Sequence, residues 1–144
     1  MKQYLWMLGL VLGFSQAASA APVKDVSKEL DQATHAAINV YRNQGMTGLQ
    51  KAVNDCYRQV GYATPFCVYL DAAGREIDFT VARAYKELGR NVLPSTFFQA
   101  KSFGERTASF YILHQHTRKE SNAHMQKIQK QIQKQVNKNL FPQD

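Results

Sequence analysis

The two cysteines are the residues whose types and spacing most clearly predict chemistry in this chain. Cys56 and Cys67 are the only cysteines among the 144 residues. In an oxidising compartment such a pair predicts a disulfide, which stabilises by roughly 3 kcal/mol by lowering the entropy of the unfolded chain. The alternative is a redox-active pair, but those cysteines usually form a C-x-x-C motif at the start of a helix. We therefore predict a structural disulfide between Cys56 and Cys67.

Three polar side chains have a spacing that suits a metal ion. His116, Glu120 and His124 are four residues apart, so on one helix they would share a face and could bind zinc. Such matches are common on polar helices, and a helix break is predicted within this set. The sequence also lacks G-x-S-x-G, H-E-x-x-H and glycine-rich phosphate loops. We therefore predict no metal, no cofactor and no catalytic residue, and expect Asp71 to form a weak surface ion pair with Arg75.

The first twenty residues have the pattern of a secretory signal peptide. Lys2 precedes an apolar run of ten residues from Leu5 to Phe14, and Ala18-Ser19-Ala20 matches a cleavage site. A helix that crosses a bilayer needs about 20 apolar residues, so we predict removal of residues 1–20 and no transmembrane anchor. The expected product is a single domain of residues 21–144, located in the periplasm or secreted, because one export signal serves both.

The exported part is predicted to be an all-α bundle. Apolar residues recur every three or four positions, which is the period of an amphipathic helix. Three helices are predicted before residue 90: Asp25–Gln44, a second from Thr47 to Gly61, and a third from Thr64–Pro65 to Gly89. The short connection between the second and third helices predicts an antiparallel hairpin that the disulfide clamps. Because the third helix has apolar residues on two faces, we expect it to be central.

The chain after residue 90 is predicted to contain the remaining helices. Two capping-box matches would begin them, Thr96 with Gln99 and Ser102 with Glu105. An unbroken helix over residues 103–140 would be about 57 Å long at 1.5 Å per residue, longer than a domain of this size. We therefore predict a break within residues 117–122, with Ser121 as the cap, and a C-terminal helix at about residues 123–140. The total is five or six helices and no sheet.

Positive charge is concentrated in the second half of the chain. Residues 21–88 have equal numbers of basic and acidic side chains, whereas residues 89–144 have nine Lys or Arg against three Asp or Glu, a net charge of +6. The predicted last helix is amphipathic, with an apolar stripe opposite Lys127, Lys130, Lys134 and Lys138. Docking on the bundle is the simplest role for that stripe, and a homodimer seam is the alternative. Nucleic acid is not an expected partner, because the chain is exported and no aromatic residues alternate with these lysines.

An export signal, one disulfide and no catalytic motif together favour a binding function. The combination is similar, as a class and not by any motif, to bacterial envelope inhibitors and immunity proteins that neutralise cell-wall-degrading toxins. We therefore expect a non-enzymatic protein that binds a protein partner. The candidate contact residues lie on the third helix and the loop after it: Arg75, Asp78, Phe79, Arg90 and Asn91. The alternative is binding to lipopolysaccharide or anionic lipid through the four lysines.

Overall fold

The computed structural model describes residues 26–141 and is all-α, with no strand in that range. It contains four α-helices and one 3₁₀ turn: α1 Val26–Val60, α2 Pro65–Glu87, the turn Thr96–Phe98, α3 Ala100–Leu113 and α4 Arg118–Leu140. The all-α class is confirmed, but the predicted count of five or six helices is wrong. The predicted signal peptide, residues 1–20, lies outside the described residues. No helix within residues 26–141 has the length and apolar content needed to span a membrane.

A break at Gly45 explains most of the error in the helix count. Gly45 was predicted to end the first helix, and it does have non-helical dihedrals, φ 66° and ψ −165°. The helix resumes at once instead of after a loop, so α1 has a first arm, residues 26–44, and a second arm, residues 46–60. The positive φ needs glycine, because a Cβ is unfavourable in that region. Each arm packs beside α2, the first near Tyr41 and Asp78 and the second with Leu49 at Gly74.

Helix α2 lies at the centre of the bundle, as its two apolar faces predicted. Thirteen of its 23 residues are buried, including both apolar and acidic side chains. The second arm of α1 runs antiparallel to it, α3 crosses it through Arg106 and Asp71, and α4 lies beside it from His124 at Tyr69 to Phe141 near Thr80. Almost every other described element therefore takes its position from α2.

The predicted disulfide between Cys56 and Cys67 is present. The S–S distance is 2.04 Å and the two Cα atoms are 5.6 Å apart. Gly61, with φ 88°, ends α1 and donates its N–H to the Tyr57 carbonyl at 3.0 Å. Pro65 then occupies the first turn of α2, where its missing N–H has no cost. The antiparallel hairpin of the second arm and α2 is thus closed by both a tight turn and a covalent bond.

The starts of α3 and α4 differ from the capping predictions. Ser95, and not Thr96, caps the 3₁₀ turn by accepting from the Phe97 N–H, and α3 begins at Ala100 with no side-chain cap. The predicted boxes at Thr96 and Ser102 are therefore wrong. Helix α4 begins earlier than expected, because Thr117 and Glu120 form a complete capping box. A capping box forms only where the backbone adopts the geometry of a helix start. A sequence match alone therefore does not tell which candidate box forms.

Helix α4 is docked on the bundle. Its predicted apolar stripe is buried at Ile128, Ile132 and Val136, which are 0–1% exposed and belong to the main core. Gln135 donates to the Asp31 carboxylate, and the Arg42 guanidinium donates to the Asn139 carbonyl at 2.6 Å. These two bonds fix α4 along the first arm of α1 and leave its opposite, lysine-bearing face outside.

Candidate functional site

Three of the predicted contact residues, Arg75, Asp78 and Phe79, lie on α2 and support the chain that follows it. The Arg75 Nε donates to the Phe98 carbonyl at 3.1 Å, and its guanidinium carbon is 4.6 Å from the Phe79 ring centroid. Asp78 is 6% exposed, and its carboxylate accepts from the Ser95 N–H at 2.7 Å. Burial raises the pKa of Asp78, and the Ser95 bond opposes that rise. Asp78 therefore anchors the loop that precedes the 3₁₀ turn.

The other two predicted contact residues, Arg90 and Asn91, are exposed in that loop. They lie among apolar side chains that are not among the predicted contact residues: Leu88 and Leu93 are each 76% exposed, Val92 44% and Tyr85 38%. We call Tyr85 and residues 88–93 the apolar loop. The run Leu88, Val92, Leu93 around Gly89 is visible in the sequence, but an apolar residue beside a helix end is ordinarily assigned to the core.

The apolar loop is held in place from both ends. At its start, the Arg90 N–H donates to the Tyr85 carbonyl at 2.9 Å, and the Arg90 guanidinium lies 5.9 Å from the Tyr85 ring centroid. At its end, Ser95 is bonded to Asp78 and its hydroxyl accepts from Gln50 at 2.8 Å. Exposed leucines on an anchored backbone keep their apolar surface in water, which is unfavourable unless another surface covers it.

The four lysines of α4 form a second exposed surface, which we call the lysine face. Lys127, Lys130, Lys134 and Lys138 are all exposed. Within residues 26–141 no Asp or Glu forms an ion pair with any of them, since the ion pairs found there involve Lys51, Arg58 and Arg106. The lysine face therefore has an uncompensated positive charge that is free to attract anions.

Asp71 is the centre of a buried polar cluster, and its expected pairing with Arg75 at the surface is wrong. The carboxylate is 0% exposed and accepts two bonds from Arg106, both at 2.8 Å, and one from the Tyr57 hydroxyl at 3.1 Å. Burial raises the pKa of Asp71, and Arg106 and Tyr57 oppose that rise. We call these three residues the Asp71 cluster. It joins α3 to α2 and to the second arm of α1, so its role is structural.

A second polar cluster surrounds His124. The Tyr111 hydroxyl is 3.0 Å from Nδ1 and the Tyr69 hydroxyl is 3.3 Å from Nε2, so both imidazole nitrogens have a hydroxyl partner. Burial, and then the neighbouring His116 and Lys127, lower the pKa of His124. Burial raises the pKa of each tyrosine to about 12. We call Tyr69, Tyr111 and His124 the His124 cluster, and it joins α2, α3 and α4 through neutral groups.

The candidate zinc ligands are not arranged as a metal site. Both nitrogens of His124 already face tyrosine hydroxyls, and the Glu120 carboxylate accepts from the N–H and hydroxyl of Thr117, each at 2.7 Å. His116 precedes α4, with its ring centroid 6.2 Å from that of His124. No group of three or more His, Cys, Asp or Glu side chains within residues 26–141 is placed to hold a metal ion.

Comparisons with protein-family models, with curated proteins and with solved structures each gave no match to this chain.

Proposed function

We propose that this chain is an exported, non-enzymatic binding protein of the inhibitor or immunity type, which holds a protein partner through the apolar loop. The observation that carries the proposal is the exposure of Leu88 and Leu93 on a backbone anchored at both ends. The signal-peptide pattern of residues 1–20 supports export, and a disulfide suits an oxidising compartment.

The composition of the apolar loop suits a protein interface. Tyr and Arg are enriched among the side chains that contribute most to binding, and Tyr85 and Arg90 flank the exposed leucines. Asp78 fixes the backbone at the end of the loop through the Ser95 N–H, which reduces the entropy lost on binding. Arg75 packs on Phe79 and donates to the Phe98 carbonyl after the loop. The partner class that fits an envelope inhibitor is a secreted or periplasmic enzyme, such as one that degrades the cell wall.

The test is affinity capture from envelope extract with the purified protein and with a Leu88→Ser/Leu93→Ser variant. We expect the protein to retain one enzyme, to lower its activity, and to lose about tenfold or more in affinity when both leucines are replaced. The matched control is Val60→Ser/Leu113→Ser, which removes two apolar side chains of similar exposure, 58% and 60%, elsewhere on the surface. Equal retention by both variants, or retention without inhibition, would contradict the proposal.

A second candidate function is binding to an anionic envelope surface through the lysine face. The observation that favours it is the set of four exposed lysines with no ion-pair partner in the described part of the chain. A lysine near an anionic membrane contributes about 1 kcal/mol, and the attraction falls as salt rises.

Vesicle flotation distinguishes this candidate from the first. We expect the protein to float with vesicles that contain phosphatidylglycerol at low salt, and a variant with all four lysines changed to glutamate to remain in solution. The control changes the same four lysines to arginine, which keeps the charge. Flotation of the glutamate variant would exclude the lysine face as the binding surface.

A further inference from the structure

A groove lies between helices α3 and α4, and neither proposed function uses it. Its volume is about 520 Å³, and it runs along α3 from Phe103 to Ile112. Ile112 lies nine residues after Phe103, which corresponds to a length of about 14 Å at 1.5 Å per residue. The groove is open to solvent, and its length therefore suits one extended chain.

The two parts of the groove differ in chemistry. Phe103, Ala108 and Ile112 on α3 and Met125 on α4 supply an apolar wall along its length. Thr107 and Tyr111 on α3 add two hydroxyls. The remaining polar residues lie near the start of α4: His116, Arg118, Ser121 and Asn122. Among residues 26–141, no Asp or Glu lines the groove. An apolar channel with a guanidinium at one end is complementary to an apolar tail with an anionic head.

Gly104 in the wall of the groove has no packing explanation. A Cβ built at Gly104 meets no atom within 4 Å, so alanine would fit there and would favour the helix by about 1 kcal/mol. Gly74 is the contrast, because a Cβ there would lie 2.8 Å from the Phe98 ring. A glycine on the exposed face of a helix has no side chain, so a ligand can approach the backbone closely there.

Arg118 also occupies a position that is unfavourable for the stability of its own helix. It is the first residue of α4, where the helix dipole disfavours a positive charge. Its side chain is exposed, and it has no ion-pair partner among the described residues. A cation that neither stabilises its helix nor pairs with an acid remains available for a ligand.

We propose that the groove between α3 and α4 binds one single-chain amphiphile with an anionic head, with the tail along Phe103, Ala108 and Met125 and the head at Arg118. The head is a carboxylate, as in a fatty acid, or a phosphate, as in a lysophospholipid. The volume and length of the groove suit a monomeric amphiphile. The groove is distinct from both the apolar loop and the lysine face.

Isothermal titration calorimetry of the purified protein with submicellar amphiphiles tests this site. Dodecanoate and dodecyl phosphate distinguish the two head groups, and dodecyltrimethylammonium has the same tail with the opposite charge. We expect saturable binding of one molecule of at least one anionic amphiphile and at least tenfold weaker binding of the cationic one. The anion that binds more tightly identifies the head group.

Two variants locate the binding. Ala108→Trp fills the apolar part of the groove and should weaken binding at least tenfold, because each displaced methylene loses its burial. Arg118→Glu reverses the charge at the head and should weaken it about tenfold, and it remains informative if the tryptophan variant folds poorly. The matched control is Lys101→Glu, an exposed cation in the first turn of α3 outside the groove, which should bind as the unaltered protein does. Tight binding of the cationic amphiphile, or equal affinities for Arg118→Glu and Lys101→Glu, would overturn the proposal.

Discussion

The Asp71 cluster and the His124 cluster both join α3 to the central helix, but by different physics. In the Asp71 cluster a fully buried carboxylate meets a guanidinium that is 15% exposed, through two bonds of 2.8 Å. In the His124 cluster a half-buried imidazole meets two neutral hydroxyls at 3.0 and 3.3 Å. Removing either partner of the first cluster leaves an unpaired charge at a large cost in stability, whereas the second cluster depends on an imidazole whose pKa is lowered by burial.

The difference predicts that breaking the Asp71 cluster has the largest effect on stability. In Arg106→Ala the Asp71 carboxylate stays buried without its counter-ion, so we expect the free energy of unfolding to fall by about 3–5 kcal/mol. Chemical denaturation monitored by circular dichroism measures this loss. The double variant Asp71→Leu/Arg106→Met should lose less than Arg106→Ala, because it removes the buried charge together with its partner. A loss below about 1 kcal/mol in Arg106→Ala would show that the pair is not a buried charge pair in solution.

Removing the disulfide should cause the next largest loss of stability and should affect the Asp71 cluster only. Cys56→Ala/Cys67→Ala is expected to lose about 3 kcal/mol through the greater entropy of its unfolded chain. Tyr57 follows Cys56 and Asp71 lies one turn after Cys67, so the bond also holds these two partners in register. In double-mutant cycles the cysteine variant should therefore couple to Tyr57→Phe and add independently to Tyr111→Phe. Equal coupling to both would remove the distinction.

The sequence predicted the helices with strong apolar periodicity and missed both clusters for a physical reason. Ile128, Ile132 and Val136 form a stripe that is visible in the sequence, and the docking of α4 follows from it. The bond between Asp71 and Arg106 joins residues 35 positions apart, and no local pattern encodes such a distance. A charged residue on an apolar face is usually assigned to the surface, so Asp71 was given a neighbour on its own helix as a partner.

The structure places the candidate contact residues in two different environments. Arg90 and Asn91 are exposed, as the glycine before them and the proline after them indicated for a loop. Leu88 and Leu93 were not singled out, because apolar side chains in a sequence do not show whether anything covers them. Asp78 is a candidate contact residue, yet it is buried and holds the loop by accepting a hydrogen bond from the Ser95 N–H.

Removing a single tyrosine hydroxyl should reduce stability by a smaller amount, and the loss should differ between the two clusters. Tyr57→Phe removes a donor to a buried carboxylate, which is worth about 1.5–3 kcal/mol, whereas Tyr111→Phe removes a bond between neutral groups, worth about 0.5–1.5 kcal/mol. Chemical denaturation of the two variants provides the comparison. Tyr62→Phe is the control, because Tyr62 is 44% exposed and its ring stacks on Tyr57 without using the hydroxyl. A larger loss in Tyr111→Phe than in Tyr57→Phe would reverse the order of the two clusters.

The smallest effect is the pH dependence that the His124 cluster contributes. The folded state lowers the pKa of His124, so above the unfolded value of about 6.5 the imidazole is neutral in both states and the cluster contributes fully. As the pH falls below about 6.5 the unfolded chain binds a proton before the folded chain does, so stability decreases until the pH reaches the folded pKa. The groups that face the imidazole are the hydroxyls of Tyr69 and Tyr111 and the side chains of His116 and Lys127, with Glu29 acting on Tyr69. None of them supplies a carboxylate at hydrogen-bond distance that would reverse this sign.

We therefore expect the melting temperature to fall between pH 7.5 and 5.5 by more in the unaltered protein than in His124→Asn, which cannot titrate. The corresponding difference in the free energy of unfolding should be below about 1 kcal/mol, because water screens the charge of a half-exposed group. His35→Asn is the control, since His35 is exposed on α1 and lies outside the cluster. Asp71 supplies the opposite sign, because burial raises its pKa and the folded chain binds that proton first on acidification. A pH dependence that survives in His124→Asn and disappears in His35→Asn would show that the histidine between the two tyrosines is not the group that the fold keeps neutral.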